Sequence, residues 1–503
     1  MRKTTLRPIR VAVAASMLLA LPAASASRPL AAASQPESEA AVDEEWAAAA
    51  AGLVRRCDKA GHADLAAVIR GWQLPPADGR QFVLAIPPRT VQPEWIDAPD
   101  ERAIWDDFLA ARRTRAAGIL ALALAAARAD GDAAPSDGRP RPTAGGPTEA
   151  VRLLYVALRD DPDNQRAREA GGWVRRQGEW LWPEAARRLD DGEEHSDEFG
   201  WLPRGRQDRY RDGDRYERGR WVKAEAQKVP VDPSQGWKFS SDHWQITSTA
   251  GMTAAATLAA GLEDTHAVWR QVFGGYQFEP AEWERRLAGR GRTPAGGRPP
   301  AFAATLVADR ERYVAALERL EPAIARTQGI YWTPTRTAWF FEGEGQSPTT
   351  VHHEATHQLF AEMRRTSPLA GERCGFWAIE AAACYMESLE PTEFGWTVGG
   401  RDAGRAVVAR ERLLEDAFHV PLAELTALGR RDFQADERLP QIYSEISGLA
   451  DFFMNGEGGR YRAAFVEYLT RVYTGTVDPD TLARLCKKGY DELDDDYRRH
   501  MAR

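Results

Sequence analysis

Cysteine is scarce in this chain: Cys57, Cys374, Cys384 and Cys486 are the only four among 503 residues. Their spacing fits no cysteine-based metal motif, which excludes zinc fingers and related cysteine-rich sites. A protein of this length can build a hydrophobic core and does not need disulfides for stability. We therefore expect buried free thiols or one bridge, and the sequence leaves all possible pairings open.

The chain also lacks long hydrophobic runs and a net positive charge. Beyond the N-terminal segment, no stretch reaches the roughly 18 apolar residues that a membrane-spanning helix requires. The formal net charge is -8 at pH 7, which gives no general reason to bind nucleic acid or an anionic membrane. We expect neither a nucleic-acid partner nor insertion into a membrane after N-terminal processing.

The N-terminus has the pattern of a signal peptide, which we place at residues 1–26. A positive start precedes a short apolar run, Val11–Leu21, and Ala24-Ser25-Ala26 supplies the small residues that a signal peptidase requires. We therefore expect an exported protein, in the periplasm, at the cell surface or secreted. The next segment, 27–45, is small and polar and is expected to be a disordered linker.

Composition divides the rest of the chain into three regions and a linker. Residues 46–128 are rich in Ala and Leu with apolar residues three and four apart, which predicts helices. Residues 129–147 form a linker of Gly, Pro, Asp and Ala. Residues 148–235 begin with a tetratricopeptide-like helix pair and continue into a Trp-rich module of short strands. Residues 236–503 contain every candidate metal ligand, so we expect the region before them to be dispensable for metal binding.

Tryptophan is concentrated in the segment 171–244. Trp180, Trp201 and Trp221 each follow closely after a Gly, and RQGEWLWPE and ERGRWVKAE are two similar copies of a Gly-x-Trp unit. We expect short strands whose tryptophans pack into a small core. The alternative is a Trp-rich surface that stacks on sugars or peptides.

The third region has strand patterns early and helix patterns late. WQITST and AFAATLVA are β-like runs, and Trp339-Phe340-Phe341 is predicted to form a strand before the next helix. The edge of such a strand can pair with an extended peptide through main-chain hydrogen bonds. The alternative is that these aromatics fill the core between the sheet and the helix. Longer helical patterns follow as far as Arg503. This order favours an α+β domain over a repeat of β-α-β units.

The candidate chemistry begins at residues 351–360, which read VHHEATHQLF. Residues four apart lie on one face of an α-helix, so His353 and His357 would direct two imidazoles toward one point. Two such imidazoles fit a tetrahedral zinc ion. Glu354 can then reach the remaining coordination position and polarise a bound water. The other interpretation is a helix with two incidental histidines.

A third ligand is available in the next helix-like stretch, FWAIEAAACYMES (376–388), which carries Glu380 and Glu387. The two carboxylates are two helical turns apart and could share a face. The segment that follows His357, QLFAEMRRTS, contains no histidine, so the extended motif with a nearby third His is excluded. Glu380 and Glu387 are therefore the two candidates.

The combination of VHHEATHQLF, WAIEAAACYMES and YSEISGLADFFMNGEGGRYRAAFVEYLTRVYTG resembles the peptidase-MA-like gluzincins, in particular an exported bacterial subgroup classed as a domain of unknown function. The resemblance covers roughly residues 240–480. It implies a zincin fold, metal-dependent hydrolysis and Glu380 as the third zinc ligand, with Glu387 as the less favoured choice. One residue departs from the pattern, because the Gly that usually follows the third ligand is Ala381 here.

Two tyrosines are candidates for stabilising an oxyanion, because a phenol can donate a hydrogen bond without carrying charge. Tyr443 leads the helix that matches the family pattern, and the resemblance favours it over Tyr385. An ordinary core aromatic is the alternative for both residues.

Four further residues have open roles. A ligating imidazole is usually oriented by a carboxylate, and Glu387 or Glu445 could serve. His352 adjoins His353 but points about 100° around the helix, so we expect it at the surface or supporting a ligand. His419 is expected to be a packing or surface residue.

We therefore predict an exported zinc metallohydrolase, a peptidase in which Glu354 is the general base, Tyr443 a catalytic donor, and His353, His357 and Glu380 the ligands of Zn2+. Its partner would be a peptide or protein substrate. The alternative is a non-catalytic zincin-like scaffold that serves as a protein- or glycan-binding module. Cleavage of a peptide library would distinguish the two.

Overall fold

The structure is a computed structural model that describes residues 38–72, 79–128, 145–217, 219–291 and 301–503. The predicted signal peptide (1–26) and most of the two predicted linkers (27–45 and 129–147) lie outside the described residues.

The first described region contains three helices and one strand: α1 (Glu39–Ala60), α2 (Ala63–Arg70), β1 (Gln81–Leu84) and α3 (Pro99–Arg128). Helix α1 begins inside the segment 27–45, so the prediction of disorder is wrong from residue 39 onward. The Ser38 side chain caps the helix by accepting a hydrogen bond from the amide of Ala41. Val42 is buried and Glu39 pairs with Arg152, so long-range contacts hold a segment whose composition is polar.

The second region begins with a helix pair, α4 (Pro147–Asp160) and α5 (Gln165–Gly171). Three β-hairpins follow: β2 (Val174–Arg176) with β3 (Glu179–Leu181), β4 (Glu193–Ser196) with β5 (Gly200–Pro203), and β6 (Asp214–Glu217) with β7 (Arg220–Lys223). The short helices α6 (Pro183–Asp190) and α7 (Arg206–Arg211) connect the hairpins. The sequence pattern indicated two Gly-x-Trp units, whereas the structure has three hairpins, each with one Trp in its second strand. Trp180 and Trp201 are buried and Trp221 is half-buried, as expected for packing.

The third region begins with a mixed five-stranded sheet and its helices: β8 (Trp237–Ser240), β9 (Trp244–Ser248), α8 (Met252–Val272), α9 (Pro280–Leu287), β10 (Phe302–Val307), α10 (Arg310–Leu317), β11 (Ile330–Trp332) and β12 (Thr337–Phe341). The strand order is β11-β12-β10-β9-β8. Strand β10 pairs in parallel with β9 and β12, while β8 and β11 are antiparallel to their neighbours. The two β-like runs predicted here are confirmed as β9 and β10.

Most of the rest of the chain is helical: α11 (Pro348–Glu362), α12 (Phe376–Met386), β13 (Glu390–Thr392), β14 (Gly395–Val398), α13 (Ala406–Glu415), α14 (Leu422–Ala427), α15 (Arg430–Gln434), α16 (Leu439–Asn455), α17 (Arg462–Thr474), α18 (Thr481–Cys486) and α19 (Tyr490–Ala502). The molecule is thus a mixture of helices and small sheets, and the α+β class is confirmed.

The predicted boundary at residue 236 does not separate two packing units. Strand β1 pairs antiparallel with β14, and its Val83 is part of the main hydrophobic core. The Arg80 side chain donates hydrogen bonds to the carbonyl oxygens of Ser388 and Thr397. Helix α4 also packs against α8 and α17. The N-terminal region therefore supplies part of the domain that holds the candidate site.

Two sequence expectations concern cysteine and membranes. All four cysteines are free, three of them buried and Cys486 half-buried, in agreement with the expectation of free thiols. Among the helices of the described residues, none combines the length and the apolar composition that a bilayer crossing needs.

Candidate metal centre

The two motif histidines lie on α11, whose start is defined locally. Ser347 is the N-cap, its side chain accepts a hydrogen bond from the amide of Thr350, and Pro348 occupies the first turn. Because the histidines are four residues apart on this helix, their rings meet, and the Nε2 atoms of His353 and His357 are 3.1 Å apart. The opposite face of α11 is apolar and buried in the main core.

Glu380 completes a triangle of donor atoms. It lies on α12, which packs against α11, and its Oε2 atom is 3.6 Å from His353 Nε2 and 3.7 Å from His357 Nε2. Ala381, Ala382 and Ala383 of α12 are fully buried, and side chains this small allow neighbouring helices to approach closely. Donors about 2.0–2.1 Å from a tetrahedral metal lie about 3.3 Å from one another. These three residues could hold a metal ion.

The three donor side chains are largely buried but not sealed from solvent. The side chains of His353, His357 and Glu380 are 14%, 16% and 11% exposed. A catalytic metal centre keeps one coordination position open, whereas a structural site is closed by its protein ligands.

Glu387 lies on the other side of the His353 ring. Its Oε1 atom is 2.8 Å from His353 Nδ1, and its Oε2 atom accepts a hydrogen bond from Arg405 Nε at 2.8 Å. A carboxylate on the far ring nitrogen holds the tautomer in which Nε2 is free to bind a metal. The sequence offered Glu387 and Glu445 as candidates for orienting a ligating imidazole. Of these two, Glu387 contacts His353.

Cys384 and Arg405 are two residues near the site that sequence reasoning missed. Cys384 is buried, and His353, Cys384 and Glu387 form a second group of donors that could hold a metal ion. Cys384 and Glu387 follow Glu380 on one helical stretch, and this spacing could have indicated the group. Arg405 carries no comparable sequence signal, because it lies on a separate segment.

Glu354 is held against the edge of the five-stranded sheet. Its Oε2 atom accepts a hydrogen bond from the amide of Tyr331 at 2.7 Å. Burial raises the pKa of Glu354. The sequence indicated Trp339-Phe340-Phe341 as the edge strand beside the helix. These residues lie in β12, which is an interior strand because β11 pairs with its outer side. The free edge next to α11 is therefore β11.

The two candidate tyrosines differ in position. The hydroxyl of Tyr443, on α16, donates a hydrogen bond to Glu380 Oε2 at 3.2 Å. The hydroxyl of Tyr385 instead donates to Asn455 Oδ1 at 3.1 Å and is buried. Only Tyr443 of this pair contacts a residue of the candidate centre.

Three other residues lie elsewhere. His352 is buried, and its Nδ1 atom is 2.8 Å from Thr265 Oγ1 of α8, so it is not a surface residue. Glu445 is fully buried and contacts His419, with Nδ1 and Oε1 2.6 Å apart. His419 is therefore half of a buried ion pair, which is more than the packing or surface role expected of it.

The charges at the centre suit a bound cation. Burial raises the pKa of Glu380, but His357 and His353 outweigh it and lower the pKa to about 2. Burial lowers the pKa of His357 to about 4. Near neutral pH, Glu380 is therefore ionised and His357 is neutral, which are the protonation states in which these side chains bind metals. His353 differs: burial lowers its pKa, but the contacts with Cys384, Glu380 and Glu387 outweigh burial and raise the pKa well above its ordinary value. A metal ion would therefore displace a proton from the His353 ring.

Comparisons with protein-family models, with curated proteins and with solved structures find no match to this chain. The resemblance drawn from the motifs therefore stays a prediction from the residues themselves.

Proposed function

We propose that the chain is a zinc-dependent hydrolase of zincin-like fold, and that its substrates are peptides. The observation that carries this proposal is the triangle of His353, His357 and Glu380 donors with edges of 3.1, 3.6 and 3.7 Å. Two imidazoles and one carboxylate are the donor set of a catalytic zinc site. When bound, zinc would polarise a carbonyl group and lower the pKa of water.

In this proposal Glu354 is the general base. It would take a proton from the attacking water and pass it to the leaving amine. Its buried position raises its pKa, which favours a carboxylate that must first accept a proton and then release it. The hydrogen bond from the Tyr331 amide fixes where the carboxylate lies.

Tyr443 is proposed to act on the developing oxyanion. Its hydroxyl donates to Glu380, so it lies beside the site where a scissile carbonyl would be polarised. Burial, together with the charge of Glu380, raises its pKa, so the phenol stays protonated and can donate. The oxyanion role requires the hydroxyl to turn from Glu380 to the substrate.

The peptide would bind along β11 in an extended form. This edge strand lies directly against α11, and main-chain pairing to a strand edge demands little of the peptide sequence. We also propose that the mature protein is exported and meets its peptide substrates outside the cytoplasm.

A second candidate function is binding without catalysis. The third hairpin exposes Tyr216 (37%), and Trp221 beside it is half-buried. Exposed aromatics at the end of a hairpin array could stack on a protein or glycan partner.

The substitution Glu354→Gln tests the catalytic proposal, because it removes the base and leaves the three donors in place. With zinc-loaded protein and a denatured protein or peptide library, we expect cleavage to fall by about 10²–10⁴-fold while bound zinc stays unchanged. Glu344→Gln, at an exposed position in the loop before α11, is the matched control and should cleave normally. Wild-type protein that binds zinc and cleaves nothing would favour the binding function.

A further inference from the structure

A third group of possible metal donors lies away from the candidate centre and consists of His243, Glu263 and His266. His243 immediately precedes β9, while Glu263 and His266 are three residues apart on α8 and so share a face. One donor atom of each residue lies within 4.8 Å of the others. None of the three was singled out in the sequence, although Glu-x-x-His on a helix is a spacing that can place two ligands together.

Glu263 and His243 are already joined. Glu263 Oε2 is 2.6 Å from His243 Nδ1, and Glu263 Oε1 accepts hydrogen bonds from the His243 amide and the Ser241 hydroxyl. The carboxylate is thus fixed with one oxygen toward the imidazole. Because the contact joins a nitrogen and a carboxylate oxygen through one proton, a cation could take the place of that proton.

His266 is buried without a hydrogen-bond partner for its ring among the described residues. The residue is only 2% exposed. An imidazole nitrogen that no protein group occupies is available to a metal ion.

The two imidazoles are close to each other and to tryptophan. The ring centroids of His243 and His266 are 3.8 Å apart. The ring of Trp182, from the hairpin region, lies edge-on to both at 5.5 and 5.9 Å. The cluster therefore sits where the hairpin region meets α8 and the start of β9.

We propose that His243, Glu263 and His266 bind a divalent first-row transition metal ion at a second site. Two imidazoles and a carboxylate suit Zn2+ and Co2+, whereas Ca2+ and Mg2+ prefer oxygen ligands. The nitrogen and oxygen of His243 and Glu263 would open from 2.6 Å to the roughly 3.3 Å that donors on one tetrahedral ion require. The ion would join α8 to the residue that precedes β9.

Metal stoichiometry tests the proposal on the full chain. Apo protein is saturated with Zn2+, freed of excess by gel filtration, and its zinc is counted by elemental analysis. We expect two equivalents for wild type, one for His357→Ala, one for His243→Gln, and none for the double variant. Gln is chosen at position 243 because it can still hydrogen-bond to Glu263. The control is His195→Gln, at an exposed position outside the group, which should keep two equivalents of zinc.

A His357→Ala protein without zinc would overturn the second site and leave aromatic packing as the role of the histidines. Zinc retained by the double variant would place the ion elsewhere. A His243→Gln protein without zinc, beside a His357→Ala protein with one, would instead disprove the candidate catalytic centre. Thermal melting adds a second readout: Zn2+ should raise the midpoint of His357→Ala and leave that of the double variant unchanged.

Discussion

Two glutamates of one helical stretch have different surroundings, although helical spacing alone leaves both as candidate ligands. Glu380 turns its carboxylate to the Nε2 atoms of both motif histidines, whereas Glu387 reaches the Nδ1 atom of His353. The same residue type can therefore be a candidate ligand in one place and an orienting group in the other. Arg405 enforces the difference, because it holds the second oxygen of Glu387.

We expect Glu380→Ala to abolish stoichiometric zinc at the candidate centre, because two remaining ligands rarely hold zinc tightly. Glu387→Ala should weaken zinc binding by about 10–100-fold, the usual cost of losing an orienting carboxylate. Competition with a chromophoric chelator measures both affinities. Glu393→Ala, at an exposed position, is the control, and the reverse order of effects for Glu380 and Glu387 would show that the ligand was assigned wrongly.

His419 makes stability depend on pH. Burial lowers the pKa of His419, but the bonds to Asp494 and Glu445 outweigh it and raise the pKa to about 9. The folded pKa is above the unfolded value of about 6.5. The ion pair therefore stabilises the fold fully below about pH 6.5, and its contribution is lost as pH rises through about 9.

We expect wild type to lose on the order of 3 kcal/mol from this pair between pH 6.5 and pH 9. The free energy of unfolding of His419→Gln should vary less over that range in urea titrations. His62, in an exposed pair with Asp100, serves as the control through His62→Gln, which should keep the wild-type pH profile. A His419→Gln profile parallel to wild type would refute the assignment.

At the scale of elements, the hairpins show which glycines the packing requires. Gly178 and Gly200 both have positive φ, at 87° and 67°. A Cβ at Gly178 would meet no atom within 4 Å, whereas a Cβ at Gly200 would lie 2.2 Å from the carbonyl oxygen of Ser240 in β8. Gly200 is thus the point at which the second hairpin contacts the sheet.

We expect Gly178→Ala to cost about 1 kcal/mol, the strain of a left-handed conformation. Gly200→Ala should cost at least ~2 kcal/mol more, because the backbone of β5 or β8 must move. Chemical denaturation of the two variants measures the difference. Equal losses would mean that the hairpin contacts the sheet loosely enough to shift.

At the scale of the whole molecule, the region before residue 236 belongs to the fold of the candidate site. Strand β1 covers one side of β14, and Arg80 binds the carbonyl of Ser388, which directly follows Glu387. A fragment 236–503 would expose the edge of β14 and lose the buried Val83.

We therefore expect the fragment 236–503 to unfold at a lower temperature than 38–503 or to aggregate, even though it contains every proposed ligand of the catalytic centre. Calorimetry and zinc binding on the two fragments test this. If 236–503 melts like 38–503 and binds zinc equally well, the sequence-based expectation that the upstream region is dispensable is correct.

Several features of the fold were predictable because they are local. Strands β9 and β10 follow from runs of β-forming residues, and α11 follows from its capping residues and apolar face. The facing positions of His353 and His357 follow from the helical repeat alone. The second hairpin was missed because its GWLP strand differs from the two Gly-x-Trp copies that resembled each other.

The sequence by itself determined the elements and the relation of residues that are three or four apart, since backbone geometry and capping act over one or two helical turns. Only the tertiary structure decided that Glu380 meets the histidines, that β1 pairs with β14, and that His243 lies against His266. These contacts join segments that are far apart in the chain. They depend on how buried surfaces fit together, and that fit is a property of the whole packed core that no local pattern encodes.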